Sequence, residues 1–418
     1  MGHSEKTEPR GDAPGLSSSP PPGWESLFDE GAMGRLVALE ERIGGGESAL
    51  ALGARLRQQG IPGDEVAAQL TQLDLRRRAH AKFGEAAGRM LFTQAGLEQA
   101  SRAEVARLHA RRFAEAGCRS VADLGCGIGT ESMALLAEGL EVLAVEIDSF
   151  TARIARHNLA STGAGASSYR VLRADAETAP LDDVEGVFLD PARRTAGHRD
   201  TKRLTRPEDY SPSLDFAFGL AERLPAGVKL GPGFERELIP PEAEAQWVSV
   251  DGQLVETGLW FGAAARPGIG RSALVLRGGG SHELAAPEDA PDADERGLGE
   301  YLYEPDGAVI RARLIGLLAD RLHAGMVSEG IAYLTSDALE PTPFAQAFRV
   351  LEQLPASEKQ LARALAGRGI GRLEIKKRGI DVDPAALRGR LRLKGKGSAT
   401  LILTRVAGRH TALLAERA

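Results

Sequence analysis

The sequence contains little cysteine and few aromatic side chains. Only two of its 418 residues are cysteines, and aromatic residues make up 5%. Two cysteines cannot build a disulfide framework or a zinc cluster, so a disulfide-rich secreted fold is excluded and a reducing, cytoplasmic setting is expected. The eight histidines are scattered without the spacing of metal ligands, and we therefore expect no metal site.

Long apolar runs are also missing. No stretch of 18 apolar residues occurs, and the first ten residues are polar and charged, so we expect neither a membrane span nor a secretory signal. The motifs of P-loop proteins and of G-x-S-x-G hydrolases are absent as well. With 43% hydrophobic and 26% charged residues, the composition is that of a globular protein.

Charge is distributed unevenly along the chain. The formal net charge is −6, yet residues 340–418 carry 16 lysines and arginines against 7 acidic residues. An acidic body with a basic tail favours a polyanionic partner for the tail, although a solvated face of a small domain would produce the same count.

Hydrophobic patterning divides the chain into five segments. A disordered arm and a helical domain come first. Alternating strands and helices then predict an α/β fold, a doubly wound Rossmann-like sheet with an antiparallel edge hairpin that pairs residues 245–262 with 271–279. The last segment has the element order of a small α+β, ferredoxin-like unit. The predicted boundaries are 1–22 for the arm, 23–118 for the helical domain, 119–280 for the sheet domain, 281–344 for a linker with a helix and 345–418 for the basic unit.

A glycine-rich turn follows the first predicted strand of the sheet domain. Gly125, Gly127 and Gly129 let the backbone turn sharply and let a ligand lie against main-chain atoms. A dinucleotide-binding turn has its third glycine one residue later, where this chain has Thr130. Asp123 before the turn would repel a pyrophosphate, but it can accept a hydrogen bond from a cationic amine. The spacing therefore favours S-adenosylmethionine, which carries an amine and no phosphate, over NAD.

Two further acids follow the next strands. Glu146 ends the second predicted strand, where a carboxylate can accept hydrogen bonds from both ribose hydroxyls. Asp175 follows the third and could accept from the adenine amino group, although a surface role fits it equally well. Because open α/β sheets bind ligands at the carboxyl ends of their strands, we expect these acids to surround the cofactor together with Asp123.

The fourth predicted strand ends in Asp190-Pro191-Ala192-Arg193. This stretch resembles the catalytic loop of class I S-adenosylmethionine-dependent methyltransferases that act on base nitrogens, which reads Asp or Asn, Pro, Pro, aromatic. The resemblance implies that Asp190 and the Pro191 carbonyl accept hydrogen bonds from the acceptor amine. Here Ala192 replaces the second proline, and Arg193 stands at the aromatic position, where its guanidinium could stack on a base or hold a phosphate.

After residue 80 the chain resembles a bacterial methyltransferase group with a C-terminal THUMP-like domain, related to the trimethylguanosine synthases. The matching stretches include residues 92–101, the glycine-rich turn, the VFLDPARRT segment and the basic tail. THUMP domains are associated with RNA recognition, so the resemblance implies methylation of a base nitrogen in tRNA or rRNA. The tail, which lacks aromatic residues near its basic run, would contact phosphates. Its candidate RNA-binding residues are Lys376, Lys377, Arg378, Arg392 and Lys394.

Two alternatives stay open at this point. The protein could methylate a small molecule or a protein, in which case the basic tail would be incidental. It could also be a non-catalytic RNA-binding protein that retains a methyltransferase fold, a reading that the altered Ala192-Arg193 positions keep open.

Overall fold

The computed structural model describes residues 19–193, 210–355, 357–366, 368–391 and 393–418. The chain falls into two units. The first comprises Met1–Val228 with Phe261–Ala264, and the second comprises Lys229–Trp260 with Ala265–Ala418. Except for its last four residues, the predicted N-terminal arm lies outside the described residues.

The first unit begins with helices. Ser48 caps the second helix by accepting a hydrogen bond from the Ala51 amide at 3.2 Å, and Thr93 caps the fourth by accepting one from the Gly96 amide at 2.9 Å. The helices are α1 (Ala32–Gly44), α2 (Ala49–Gln58), α3 (Gly63–Phe83), α4 (Gln94–Gln99) and α5 (Ala103–Glu115).

A parallel sheet follows the helices in the same unit. Its central strands are buried on both faces, which explains why they appear in the sequence as short continuous apolar runs. The elements are β1 (Ser120–Leu124), α6 (Thr130–Ala137), β2 (Glu141–Glu146), α7 (Ser149–Ala160), β3 (Tyr169–Arg173), β4 (Gly186–Leu189), β5 (Ala192–Arg193), β6 (Tyr210–Ser211), α8 (Leu214–Ala221) and β7 (Ala226–Leu230).

The strand order in this part of the sheet is β7-β4-β1-β2-β3, with parallel pairing of β4, β1, β2 and β3. The register aligns Leu124 with Val145 on one side and with Leu189 on the other. The carboxyl ends of β1, β2 and β4 therefore meet at one edge of the sheet. This topology confirms the predicted Rossmann-like fold class.

The helices and the sheet share one hydrophobic core. Trp24 lies edge-on against Phe150 of α7, with ring centroids 5.4 Å apart. The same cluster of buried residues contains Leu36 of α1, Phe92 from the segment before α4, and Ile128 from the glycine-rich turn. The N-terminal helices consequently pack on the part of the sheet that carries the turn.

The second unit begins with antiparallel pairing. We predicted one long strand over residues 245–262, but the chain turns back at Asp251-Gly252 and forms two antiparallel strands. The φ angles of these two residues, 50° and 80°, are typical of a two-residue hairpin. The strand after it pairs in parallel, and the edge hairpin is formed by the last two strands. The strands are β8 (Glu244–Val250), β9 (Gln253–Phe261), β10 (Arg271–Arg277) and β11 (Gly280–Ala286).

A second sheet completes this unit. Its strand order is β13-β14-β12-β15-β18-β17-β16, so β16 lies at an edge, and two helices cover one face over a leucine-rich cluster. The elements are β12 (Tyr301–Pro305), α9 (Gly307–Arg311), α10 (Ile315–Arg321), β13 (Gly325–Met326), β14 (Leu334–Ser336), β15 (Ala345–Leu354), α11 (Glu358–Leu365), β16 (Ile370–Lys377), α12 (Pro384–Leu391), β17 (Gly397–Val406) and β18 (Arg409–Arg417).

Across the described ranges, no helix combines the length and the apolar character needed to cross a bilayer. The same ranges contain no group of three or more His, Cys, Asp or Glu residues placed to hold a metal ion.

Candidate cofactor and acceptor site

The glycine-rich turn joins β1 to α6, and its three glycines have different surroundings. Gly125, Gly127 and Gly129 have φ angles of 85°, 54° and 84°. A Cβ at Gly125 or Gly127 would have no atom within 4 Å, whereas at Gly129 it would lie 2.6 Å from Leu159 Cδ1. The first two glycines therefore leave backbone open for a ligand, and the third allows close packing against α7.

The buried side-chain amide of Asn158 in α7 hydrogen-bonds the backbone of the glycine-rich turn. Asn158 Nδ2 donates to the Ile128 carbonyl at 2.8 Å and to the Leu91 carbonyl at 3.0 Å, and Asn158 Oδ1 accepts from the Leu91 amide at 2.8 Å. A Cβ on Gly96 would lie 2.4 Å from Ile128 Cγ2, so α4 also contacts the turn. Sequence analysis missed Asn158; an asparagine within an apolar helical pattern was the available signal.

The segment before α4 is buried between side chains that satisfy its backbone. Gln72 exchanges two hydrogen bonds with Phe92, of 2.7 and 3.1 Å. Arg76 Nε donates to the Met90 carbonyl at 3.0 Å. Buried backbone groups outside regular secondary structure need such partners, and here α3 supplies them. These hydrogen bonds hold the segment before α4, and with it α4, in contact with the glycine-rich turn.

Asp123 lies near the carboxyl end of β1 and is 1% exposed. Its Oδ2 accepts a hydrogen bond of 2.6 Å from the Ser132 hydroxyl. Burial raises the pKa of Asp123 to about 7, the nearby Glu131 and Asp190 carboxylates add to this effect, and the Ser132 hydrogen bond opposes it. This carboxyl therefore gains or loses a proton near neutral pH.

Glu146 ends β2 and braces the turn from the neighbouring strand. Its Oε2 accepts from the Gly127 amide at 3.0 Å and its Oε1 from the Asp148 amide at 2.9 Å. Burial raises the pKa of Glu146, while these amides lower it. The Ile147 amide also hydrogen-bonds this carboxylate, and of its roughly four lone-pair sites one remains for a ligand hydroxyl. The next side chain, Ile147, is apolar and 37% exposed, and sequence analysis did not single it out.

Asp175 follows β3, one strand beyond Glu146. The side chain is exposed, and its Oδ1 accepts from the Glu177 amide at 3.0 Å, capping a short 3₁₀ turn. Asp175 lies at the same sheet edge as Glu146, and its observed hydrogen bond is a local cap.

Asp190 directly follows β4, the strand next to β1. Pro191 is buried, and β5 then pairs with β6 so that Arg193 lies opposite Tyr210. The Arg193 side chain lies outside what the structure describes. Tyr210 is 3% exposed. Tyr210 therefore lies opposite Arg193, the position at which the family's catalytic loop has an aromatic residue. Sequence analysis did not identify Tyr210.

His109 and Glu131 form another buried polar pair, and Glu131 lies near Asp123. His109 Nδ1 and Glu131 Oε2 are 3.2 Å apart, and both side chains are almost fully buried. The His109 ring stacks on Phe188 of β4 with centroids 5.4 Å apart. This pair connects α5 to the first turn of α6, and sequence analysis did not identify it.

The candidate RNA-binding residues differ in their surroundings. Lys376 Nζ forms an ion pair of 2.5 Å with Glu304 and lies 5.5 Å from the centre of the Phe348 ring. The Arg378 guanidinium lies 5.2 Å from the centre of the Tyr333 ring. These two cations are therefore engaged within the unit.

The remaining candidates are Lys377 and Lys394, which are exposed, and Arg392, which lies outside the described residues. Neither Lys377 nor Lys394 forms an ion pair with a carboxylate of the described chain.

Comparisons with known proteins agree with this geometry. Residues 345–417 match a family model described as THUMP domain-like, and residues 34–79 match a domain of unknown function. A structure described as a "putative methyltransferase" from Porphyromonas gingivalis W83 has the same fold, with a TM-score of 0.69 and 23% identity over 86% of this chain and 92% of that chain.

A relative from Mycobacterium tuberculosis, named an uncharacterized S-adenosylmethionine-dependent methyltransferase, is 36% identical over 340 residues. The alignment covers 79% of this chain and 90% of the relative, so it includes the glycine-rich turn and most of both units. With a turn whose backbone is open at two glycines and three acids at the adjoining strand ends, the chain belongs to the S-adenosylmethionine-dependent methyltransferases.

Proposed function

We propose that this methyltransferase modifies RNA, at a base nitrogen of tRNA or rRNA. The observation that carries the proposal is the position of Asp190-Pro191, at the end of the strand next to Asp123 and the open glycine-rich turn. The THUMP domain-like match and the positive charge of the C-terminal residues support RNA as the acceptor. The relation to trimethylguanosine synthases and the cytoplasmic location stay predictions.

The residues around the turn fit S-adenosylmethionine, which when bound supplies an electrophilic methyl group. The backbone at Gly125 and Gly127 is open. The hydroxyl of Thr130, at the start of α6, is buried without a hydrogen-bond partner in the described chain, as expected of a group that awaits a ligand. The ionised Asp123 would hold the cationic amine, and Glu146 a ribose hydroxyl.

The adenine would lie beyond Glu146. Ile147 offers an exposed apolar side chain directly after that carboxylate, which suits packing against a flat heterocycle. In this proposal Asp175 accepts from the adenine amino group with the carboxylate oxygen that does not cap the 3₁₀ turn.

The acceptor would be held by the residues that follow β4. The Asp190 carboxylate and the Pro191 carbonyl accept hydrogen bonds from the amine and so orient its lone pair. Asp190 can take the proton that the nitrogen loses when the N–C bond forms. Arg193 contacts the base or its phosphate, and most of the rate acceleration comes from holding the two reactants in line.

Mass spectrometry of nucleosides from total RNA tests this function. We expect one methylated nucleoside to disappear when the gene is deleted, to return with the wild-type protein, and to stay absent with Asp190→Ala, which removes the acceptor oxygens. The variant should still bind S-adenosylmethionine in isothermal titration calorimetry, because Asp190 does not contact the cofactor in this proposal.

Other outcomes separate the alternatives. An unchanged nucleoside profile together with turnover on a small molecule or a protein would reject RNA as the substrate. Cofactor and RNA binding without turnover on any RNA fraction would indicate a non-catalytic binding protein. Full activity of Asp190→Ala would remove this residue from the mechanism.

A further inference from the structure

Several cations of residues 345–417 form ion pairs within the second unit. Ion pairs within the unit engage one arginine or lysine on each of several elements, at N–O distances of 2.5 to 3.1 Å. The pairs are Arg368–Glu352, Lys376–Glu304, Arg390–Glu358 and Arg417–Glu374. A cation held by a carboxylate adds little to the attraction of an external polyanion, so the phosphate-binding surface should be sought among the cations that remain.

Two glycine-rich segments meet at the start of β16 and β17. A Cβ on Gly371 would lie 1.9 Å from the Gly395 carbonyl oxygen, and a Cβ on Gly395 would lie 2.0 Å from the Gly369 carbonyl oxygen. The Gly397 amide donates to the Gly369 carbonyl at 2.9 Å. The two segments therefore lie backbone against backbone, with no room for a side chain between them. We call residues 369–372 and 394–397 the glycine rim.

Three unpaired cations lie on the glycine rim. Arg372, Lys394 and Lys396 are exposed, and none of them forms an ion pair with a described residue. The rim includes the start of β16, an edge strand, so no neighbouring strand covers it on that side. The chain has no aromatic residue after Phe348, which leaves the rim without a platform for stacking bases.

We propose that the glycine rim holds the phosphate backbone of the RNA substrate. This inference rests on the function proposed above and moves the main phosphate contacts away from Lys376 and Arg378. The close packing of the two glycine-rich segments places Arg372 on the same rim as Lys394 and Lys396, and exposed, unpaired cations release counterions when they bind phosphates. Contacts of this kind position an RNA without reading its sequence.

Charge reversal tests the rim in the full-length protein. Lys394→Glu with Lys396→Glu reverses two rim cations. The matched control is Lys359→Glu with Arg363→Glu, which makes the same charge change at two exposed, unpaired positions on α11. Binding of fluorescent bulk tRNA and rRNA fragments is followed by anisotropy across a salt series, and folding and cofactor binding of each variant are checked by thermal unfolding and calorimetry.

We expect the rim variant to bind RNA at least tenfold more weakly at about 0.1 M salt, while the control changes by less than about threefold. The slope of log affinity against log salt should fall by roughly 1.4, since each lost phosphate contact on a single strand accounts for about 0.7. Methylation of RNA should decline in parallel, with S-adenosylmethionine affinity unchanged.

Three results would overturn the inference in different ways. Equal weakening by the control pair would show that overall charge acts rather than the rim. Unchanged RNA binding by the rim variant, with the wild type still methylating RNA, would reject the rim and leave the proposed function standing. A wild type that neither binds nor methylates RNA would reject both.

Discussion

Asparagine at position 123 should make the protein more stable and less able to bind its cofactor. Asp123 is 1% exposed, and its hydrogen bond comes from the Ser132 hydroxyl. An asparagine has the same shape, and its side-chain oxygen can accept the same hydrogen bond. The substitution therefore removes a buried ionisable group without opening a cavity.

The size and sign of the effect follow from the pKa. Burial raises the pKa of Asp123 to about 7 from an unfolded value of 3.8. The native state consequently binds more protons than the unfolded state between these values, and stability contributed by this group is lost as the pH rises from about 4 to about 7. At ~1.36 kcal/mol for each pKa unit, the ionised wild type carries a penalty of about 4 kcal/mol at pH 8, and asparagine does not.

Urea unfolding from pH 4 to pH 8 measures the difference. We expect Asp123→Asn to exceed the wild type by roughly 2–4 kcal/mol at pH 8 and to differ little at pH 4. Calorimetry should show S-adenosylmethionine binding at least about tenfold weaker in the variant, since a charge-assisted hydrogen bond is lost. In the wild type, affinity should fall as the pH drops below about 7, because protonation removes the anion.

The matched control is Asp175→Asn, which makes the same Asp-to-Asn change at an exposed position after β3; we expect it to change stability by less than about 0.5 kcal/mol at pH 8. A variant at position 123 that loses stability equally at all pH values would refute the titration of this carboxyl. Undiminished cofactor affinity would show that it is not the partner of the amine.

Three further substitutions probe other parts of the structure. Asn158→Ala leaves the Ile128 carbonyl buried without its donor; we expect a loss of about 2–4 kcal/mol in urea unfolding, and a KM for S-adenosylmethionine that rises more than kcat falls. Gly129→Ala forces a Cβ against Leu159 at positive φ, which should cost about 1–3 kcal/mol in thermal unfolding. Lys376→Ala should change RNA affinity by less than about twofold in anisotropy, because this cation is already paired.

Each of these expectations has an opposing result. An Asn158 variant that loses kcat with an unchanged KM would show that the amide does not position the cofactor turn. Wild-type stability of Gly129→Ala would contradict the packing of the turn on α7. A large loss of RNA affinity in Lys376→Ala would place the phosphate contacts around Lys376 and would contradict the glycine-rim proposal.

Local patterns in the sequence determined the order of elements and the type of fold. The strand, glycine-rich turn and helix around residues 120–137 are contiguous, so their spacing alone predicted the turn and its cofactor class. The acids after the strands could be placed at one sheet edge because parallel strands present their carboxyl ends together. The hairpin at Asp251-Gly252 was missed although its turn signal is local, because the apolar pattern continues through both strands.

Contacts between distant residues were decided only by the tertiary structure. Asn158 reaches Leu91 across 67 positions, and Lys376 reaches Glu304 across 72; no short-range pattern encodes such partners. The pKa of Asp123 likewise depends on burial, which arises when strands and helices from separate parts of the chain pack around it. The spacing of residues in the sequence therefore identified the groups that could bind cofactor or RNA. Packing determined which groups are positioned by hydrogen bonds, which are ionised at neutral pH and which already form ion pairs.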